Sequence, residues 1–160
     1  MQIYVDADAC PKVIKELLYK AVKRVKVKMT LVADQYLRIP QSDYISSIQV
    51  PSDIDSADEK IVELIHPGDL VITADIPLAD QVVSKGCYAI NPRGELYSER
   101  NIKEHLAVRD MMTEMRSSGL EFGGPPPFNP KDKEKFANQL DRFLTKNIKS
   151  ATSEIKNSSC

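Results

Sequence analysis

Apolar residues fall along the chain in two spacings, short continuous runs and stripes at three- and four-residue intervals, which predict strands separated by helices. Ile3-Tyr4-Val5 is too brief for a helix and stops at Asp6, so it predicts a buried strand. Ile14, Leu17, Leu18, Ala21, Val22 and Val25 then form the stripe of an amphipathic helix, with Asp8 and Pro11 placed as N-terminal cap and first-turn proline. Lys28–Ala33 and Ser47–Val50 predict a second and a third strand, and Leu70–Ala74 the most apolar one. Between them Ala57, Ile61, Leu64 and Ile65 mark a helix from Ser56 that ends at His66-Pro67-Gly68. Ile76–Lys85 predicts a helix, Tyr88–Ile90 a short strand, Asn91–Gly94 a turn and Asn101–Ser118 another helix. Gly123-Gly124-Pro125-Pro126-Pro127 excludes regular structure and is expected to pack the last helix, Asp132–Ile148, onto the core.

Continuous apolar strands alternating with helices imply an α/β fold: a three-layer sandwich with a mainly parallel central sheet of about five strands. The chain has 160 residues, which suits a single domain over 1–148, with 149–160 expected as a flexible C-terminal tail. No run approaches the ~18 apolar residues that span a bilayer, and the first residues lack a signal-peptide pattern. Cys10, Cys87 and Cys160 form neither a disulfide framework nor a zinc pattern, so a cytoplasmic setting is expected.

The formal net charge of −1 at first argues against a nucleic-acid partner, but the charges are segregated. Eight acidic residues and one basic residue, Lys60, lie between Ser52 and Asp80, whereas seven basic residues face only Glu16 between Lys12 and Lys28.

Parallel sheets place ligands beyond the carboxyl ends of their strands. Asp6 and Asp8 follow the first strand, Asp75 follows the Leu70–Ala74 strand, and Asp55 and Asp58 introduce the helix between. Neighbouring strands lie about 4.8 Å apart, so carboxylates on adjacent strand ends repel unless one is protonated or a cation lies between them. Hard oxygen donors without His or Cys favour Mg²⁺ or Mn²⁺, which suits metal-assisted phosphoester hydrolysis. Alone, Asp8 reads as a helix cap, Asp53, Glu59 and Glu63 as solvated charges and Asp69 as a turn residue; the coincidence at the strand ends carries the functional reading. Arg93 and Arg38 follow strands on the same edge and suit phosphate positioning, or equally a salt bridge to an aspartate.

Other motifs fail on structural grounds. Cys87 and Arg93 have the spacing of a thiol phosphatase, but the residues between them are a strand rather than a phosphate-wrapping loop. Cys10 reads as a small buried residue, and His66 and His105 have no evident partner.

Val5-Asp6-Ala7-Asp8-Ala9-Cys10-Pro11, Ala57-Asp58, the run from Gly68 to Ala79, Asn91-Pro92-Arg93-Gly94 and Gly123-Gly124-Pro125 resemble the YaiI/YqxD family of bacterial proteins over Met1 to about Leu144. That family is grouped with PIN-like domains, and the resemblance implies a parallel sheet between helices and an acidic metal site of the kind found in ribonucleases. It implies Asp6, Asp58 and Asp75 as metal ligands, with Asp8 and Asp55 at further positions where the family tends to carry aspartate. PIN nucleases generally have a fourth acidic residue shortly after the third, a place Asp80 could fill.

Three functions follow from these residues. One is a Mg²⁺- or Mn²⁺-dependent nuclease acting on single-stranded RNA, with Asp6, Asp8, Asp58 and Asp75 in catalysis, Asp6, Asp55, Asp58, Asp75 and Asp80 as metal candidates, and Arg93 and Arg38 on phosphate. Aromatic residues make up only 6% with no Trp, so extensive base stacking is not expected. The second is a haloacid-dehalogenase-type phosphatase using Asp6 and Asp8, which Ala33-Asp34-Gln35 disfavours by lacking Ser or Thr after the second strand. The third is a non-catalytic RNA- or protein-binding module with a structural cation site.

Overall fold

The computed structural model describes the backbone of residues 1–53, 55–119 and 127–158, and the side chains of these up to residue 148. Six strands form one sheet: β1 (Ile3–Asp6), β2 (Met29–Ala33), β3 (Ile45–Gln49), β4 (Leu70–Ile72), β5 (Tyr88–Ile90) and β6 (Leu96–Tyr97). Their order is β3-β2-β1-β4-β5-β6. The first five run parallel; β6 is antiparallel to β5, with Ile90 opposite Leu96. β6 escapes the hydrophobic pattern because it is only two residues long and starts directly after the Asn91–Gly94 turn.

Strand parity divides the core. Ile3, Val5, Leu70 and Ile72 face one side with α1 (Lys12–Val25) and α5 (Pro130–Ser158), where Ile14, Leu18, Phe136, Leu140, Phe143 and Leu144 are buried. Tyr4 and Val71 face the other side with α2 (Ser56–Leu64), α3 (Ile76–Ser84) and α4 (Glu99–Ser117), burying Ile61, Leu78, Val82 and Ile102. The result is a three-layer α/β sandwich with a mostly parallel sheet, as the alternating runs and stripes predict.

Local differences have local causes. Asp8 does not cap α1: it sits in a 3₁₀ turn, Ala7–Ala9, and α1 starts after Pro11 without a side-chain cap. The fourth strand stops at Ile72 rather than Ala74, because Thr73 and Asp75 turn their polar groups onto each other. α4 begins two residues earlier than expected, where Ser98 and Asn101 form a reciprocal capping box. α5 runs past Ile148 to Ser158, so the backbone of the expected tail is helical over its described part. The Gly123–Pro126 stretch lies outside the described residues.

Asn91–Gly94 is a docking point for α5. Asn91 Oδ1 accepts the backbone N–H groups of Arg93 and Glu95, closing the turn. Gly94 takes φ +93°, and a Cβ there would stand 2.5 Å from the Lys135 carbonyl carbon, so only glycine lets α5 approach this closely. Arg93 Nη1 pairs with Asp132 Oδ2 at 2.9 Å, fixing the start of the helix. Among the described residues no helix is long and apolar enough to cross a membrane.

Candidate functional site

The strand order reverses direction at β1 and β4: the chain leaves β1 toward α1 on one face and leaves β4 toward α3 on the other. In open α/β sheets this switch point leaves a crevice beyond the strand ends. Asp6 ends β1 and points, by parity with Tyr4, toward the face that carries α2 and α3. α2 and α3 each begin at that same sheet edge, because each follows a parallel strand and returns antiparallel to it. Their starts bring Asp58, in the first turn of α2, and Asp75, the N-cap of α3, to the end of β1.

Thr73 organises this corner. Fully buried, it donates its hydroxyl proton to Asp6 Oδ2 at 3.0 Å and accepts the backbone N–H of Asp75 at 3.0 Å. Asp75 Oδ1 in turn accepts the Leu78 N–H at 2.9 Å, which caps α3. Thr73 is the residue the hydrophobic pattern conceals, being a single hydroxyl at the end of an apolar strand. Its one legible signal is that it shares strand parity with Asp6 across the β1–β4 pair.

Electrostatics couple the carboxylates. The Asp58 carboxyl is pushed up to about 6, first by burial, then by the charges of Asp75, Asp6 and Asp55 and by a hydrogen bond with Asp75. Asp6 is also raised, chiefly by burial and further by Asp75 and Asp8, while the Thr73 hydroxyl opposes the shift. Asp58 and Asp75 therefore stand within hydrogen-bonding reach of each other. Asp8 belongs to a second pair: its Oδ2 accepts the Asp34 N–H at 2.9 Å, and the Asp34 carboxyl is raised first by desolvation and then by its contact with Asp8.

The remaining candidates are placed elsewhere. Asp55 is exposed at the N-cap of α2, where its side chain accepts no capping hydrogen bond. Asp80 lies in the second turn of α3 and is not among the charges that raise Asp6 or Asp58. Arg93 is committed to Asp132, the salt-bridge alternative of the two that its position allows. Arg38 is exposed in the β2–β3 loop. His105, without an evident partner in the sequence, meets Glu95 at 2.6 Å and packs edge-on against Tyr97. Asp69 is more than a turn residue: it is buried at the opposite sheet edge and accepts the N–H groups of Gln2 and His66. Cys10 is buried as expected, and burial pushes its thiol up to about 12, which makes it a poor nucleophile.

The oxygen-only donor set and the mutual repulsion of Asp6, Asp58 and Asp75 fit a hard divalent cation in chemistry. As the side chains stand, no three His, Cys, Asp or Glu residues among those described converge into a metal cage.

The family model described as "Uncharacterized BCR, YaiI/YqxD family" matches residues 4–146. The chain belongs to the YaiI/YqxD family. Relatives of this family are similar along nearly their whole length. A "UPF0178 protein" of Maridesulfovibrio salexigens is 58% identical over 148 residues, covering 92% of this chain and 98% of the relative. A "UPF0178 protein" of Hahella chejuensis is 58% identical over 150 residues, covering 94% and 100%. One of Photobacterium profundum is 56% identical over 149 residues, covering 93% and 99%. The YaiI/YqxD match spans every strand of the sheet except the first residue of β1, and therefore takes in Asp6, Thr73, Asp58 and Asp75.

Proposed function

We propose that this YaiI/YqxD protein hydrolyses phosphodiester bonds in RNA at the acidic switch-point corner, with Mg²⁺ or Mn²⁺ bound there. The observation that supports this reading is that Asp6, Asp58 and Asp75, from three separate elements, lie near enough to one another at the switch point for their charges to repel. A structural role would not call for such a cost, because carboxylates that only cap helices gain nothing from one another. The bound ion would supply a hydroxide nucleophile at neutral pH and stabilise charge on the phosphate oxygens.

The chain's own residues would divide the remaining work. Asp6, held by Thr73, is the most buried of these three carboxylates and would be the fixed ligand. Asp75 is oriented by its capping bond and would offer its second oxygen to the ion. Asp58 is the titrating member: with its carboxyl near 6 it holds a proton at mildly acidic pH and would release it when a cation binds. Asp8, turned toward Asp34, supports the loop rather than the ion.

The test is turnover of single-stranded RNA by the full chain with Mn²⁺. Cleavage is expected in the parent and a fall of about 100-fold or more in Asp6→Asn and Asp75→Asn. Equal activity in all three proteins would contradict the assignment. Phosphate release from a monoester, with RNA left intact, would instead favour the phosphatase reading.

A further inference from the structure

A groove of about 530 Å³ runs beside the acidic corner, between α1 and the β2–β3 loop. Lys12, Lys15 and Tyr19 line it from α1, and Leu37, Arg38 and Ile39 from the loop. Both walls start at one point. α1 follows the 3₁₀ turn that bears Asp8, the loop begins at Asp34, and the Asp34 N–H is bonded to the Asp8 carboxylate. Lys12 and Arg38 each lie four residues from that contact, within ~14 Å along the chain even if fully extended.

The groove has the composition of a strand-binding channel. Its floor is apolar, from Leu37, Ile39 and the ring of Tyr19, and its rim is cationic, with Glu16 the one acidic lining residue. Lys12, Lys15 and Arg38 form no salt bridge among the described residues, so their charges remain available. In the same loop, two residues before Arg38, Tyr36 is 82% exposed, the most exposed large hydrophobic among the described residues. An exposed aromatic ring two residues from a cation on the groove rim supplies the two elements by which single-stranded nucleic acids are bound, bases on rings and phosphates on cations.

We infer that this groove is the entry track for single-stranded RNA, with one base stacked on Tyr36 and successive phosphates on Arg38, Lys12 and Lys15. The inference rests on the nuclease reading for its direction, since the track leads to the Asp8–Asp34 end of the acidic corner. A single stacking residue and otherwise backbone contacts make the track tolerant of sequence.

The experiment is a fluorescence-anisotropy titration of the full chain with a labelled 12-nucleotide single-stranded RNA in chelator, so that binding is read without turnover. Tyr36→Ala is expected to weaken binding at least about fivefold. The double variant Lys12→Glu/Arg38→Glu is expected to weaken it further and to flatten its dependence on salt. Asp6→Asn should bind at least as tightly as the parent. Unchanged affinity in both groove variants, no RNA binding by the parent, or equal binding of a polyglutamate peptide would each overturn the track. The two readings separate cleanly. RNA held in the groove without cleavage in any divalent metal keeps the track and removes the nuclease, whereas cleavage lost in Asp6→Asn with groove variants unaffected does the reverse.

Discussion

Asp58 shows how the corner trades stability for chemistry. Its carboxyl is raised from its ordinary value to about 6 by burial and by Asp75, Asp6 and Asp55, so the native state holds a proton that the unfolded chain has already lost. The sign follows: Asp58's contribution to stability is full below about pH 4 and is lost as pH rises through about 6. Asp58→Asn should therefore stabilise the metal-free protein at pH 7.5. Allowing for its partial exposure, the gain is on the order of 1 kcal/mol, or roughly 2–4 °C in Tm, and it should vanish near pH 4. Thermal melts at the two pH values check it; equal Tm for variant and parent at pH 7.5 would mean that the repulsion is absent. At this scale the sequence is legible where chemistry is local. Asp6 and Asp75 announce themselves by following apolar runs, whereas Thr73 acts through a contact 67 residues away in sequence that no spacing rule encodes. Arg93 shows the opposite limit, because its edge position suits phosphate equally well, and only tertiary packing brings Asp132 to it.

Among the elements, α5 depends on a contact that cannot be read from its own residues. Its buried stripe of Phe136, Leu140, Phe143 and Leu144 is plain from periodicity, and Phe143 meets Tyr88 edge-on at 5.0 Å. Where it docks is decided by Gly94, in a turn some forty residues earlier, whose missing Cβ leaves room for the backbone of Lys135 and Phe136. Gly94→Ala should lower stability on the order of 3 kcal/mol, since it combines a left-handed φ with a clash against backbone that cannot rotate away. Urea denaturation measures it, and a loss below about 1 kcal/mol would show that α5 is held elsewhere. β1, β2 and β4 were legible because both of their faces are buried, which produces continuous apolar runs, whereas the edge strand β3 is largely exposed and begins at Ile45 rather than the expected Ser47. β6 was not, being a two-residue edge strand whose pairing is set by the turn before it.

For the whole molecule, the net charge of −1 is a near-cancellation of two surfaces that the fold sets side by side. The acidic corner lies beyond β1 and β4, and the cationic groove opens from its Asp8–Asp34 end. A divalent ion would offset repulsion at the first surface, so entry of a phosphate into the acidic corner itself, unlike binding in the groove, becomes conditional on metal. The same linkage predicts that Mn²⁺ raises the Tm of the parent at pH 7.5, by an amount that grows with the logarithm of its concentration above Kd. If Asp6, Asp58 and Asp75 form one cation-dependent site, calorimetric titration of Mn²⁺ into the metal-free chain at pH 7.5 reveals it. Saturable binding by the parent is expected at pH 7.5, with proton release when the titration is repeated near pH 6, and binding weakened at least tenfold in both Asp6→Asn and Asp75→Asn. Binding of equal strength in all three proteins, or none in the parent, would contradict it.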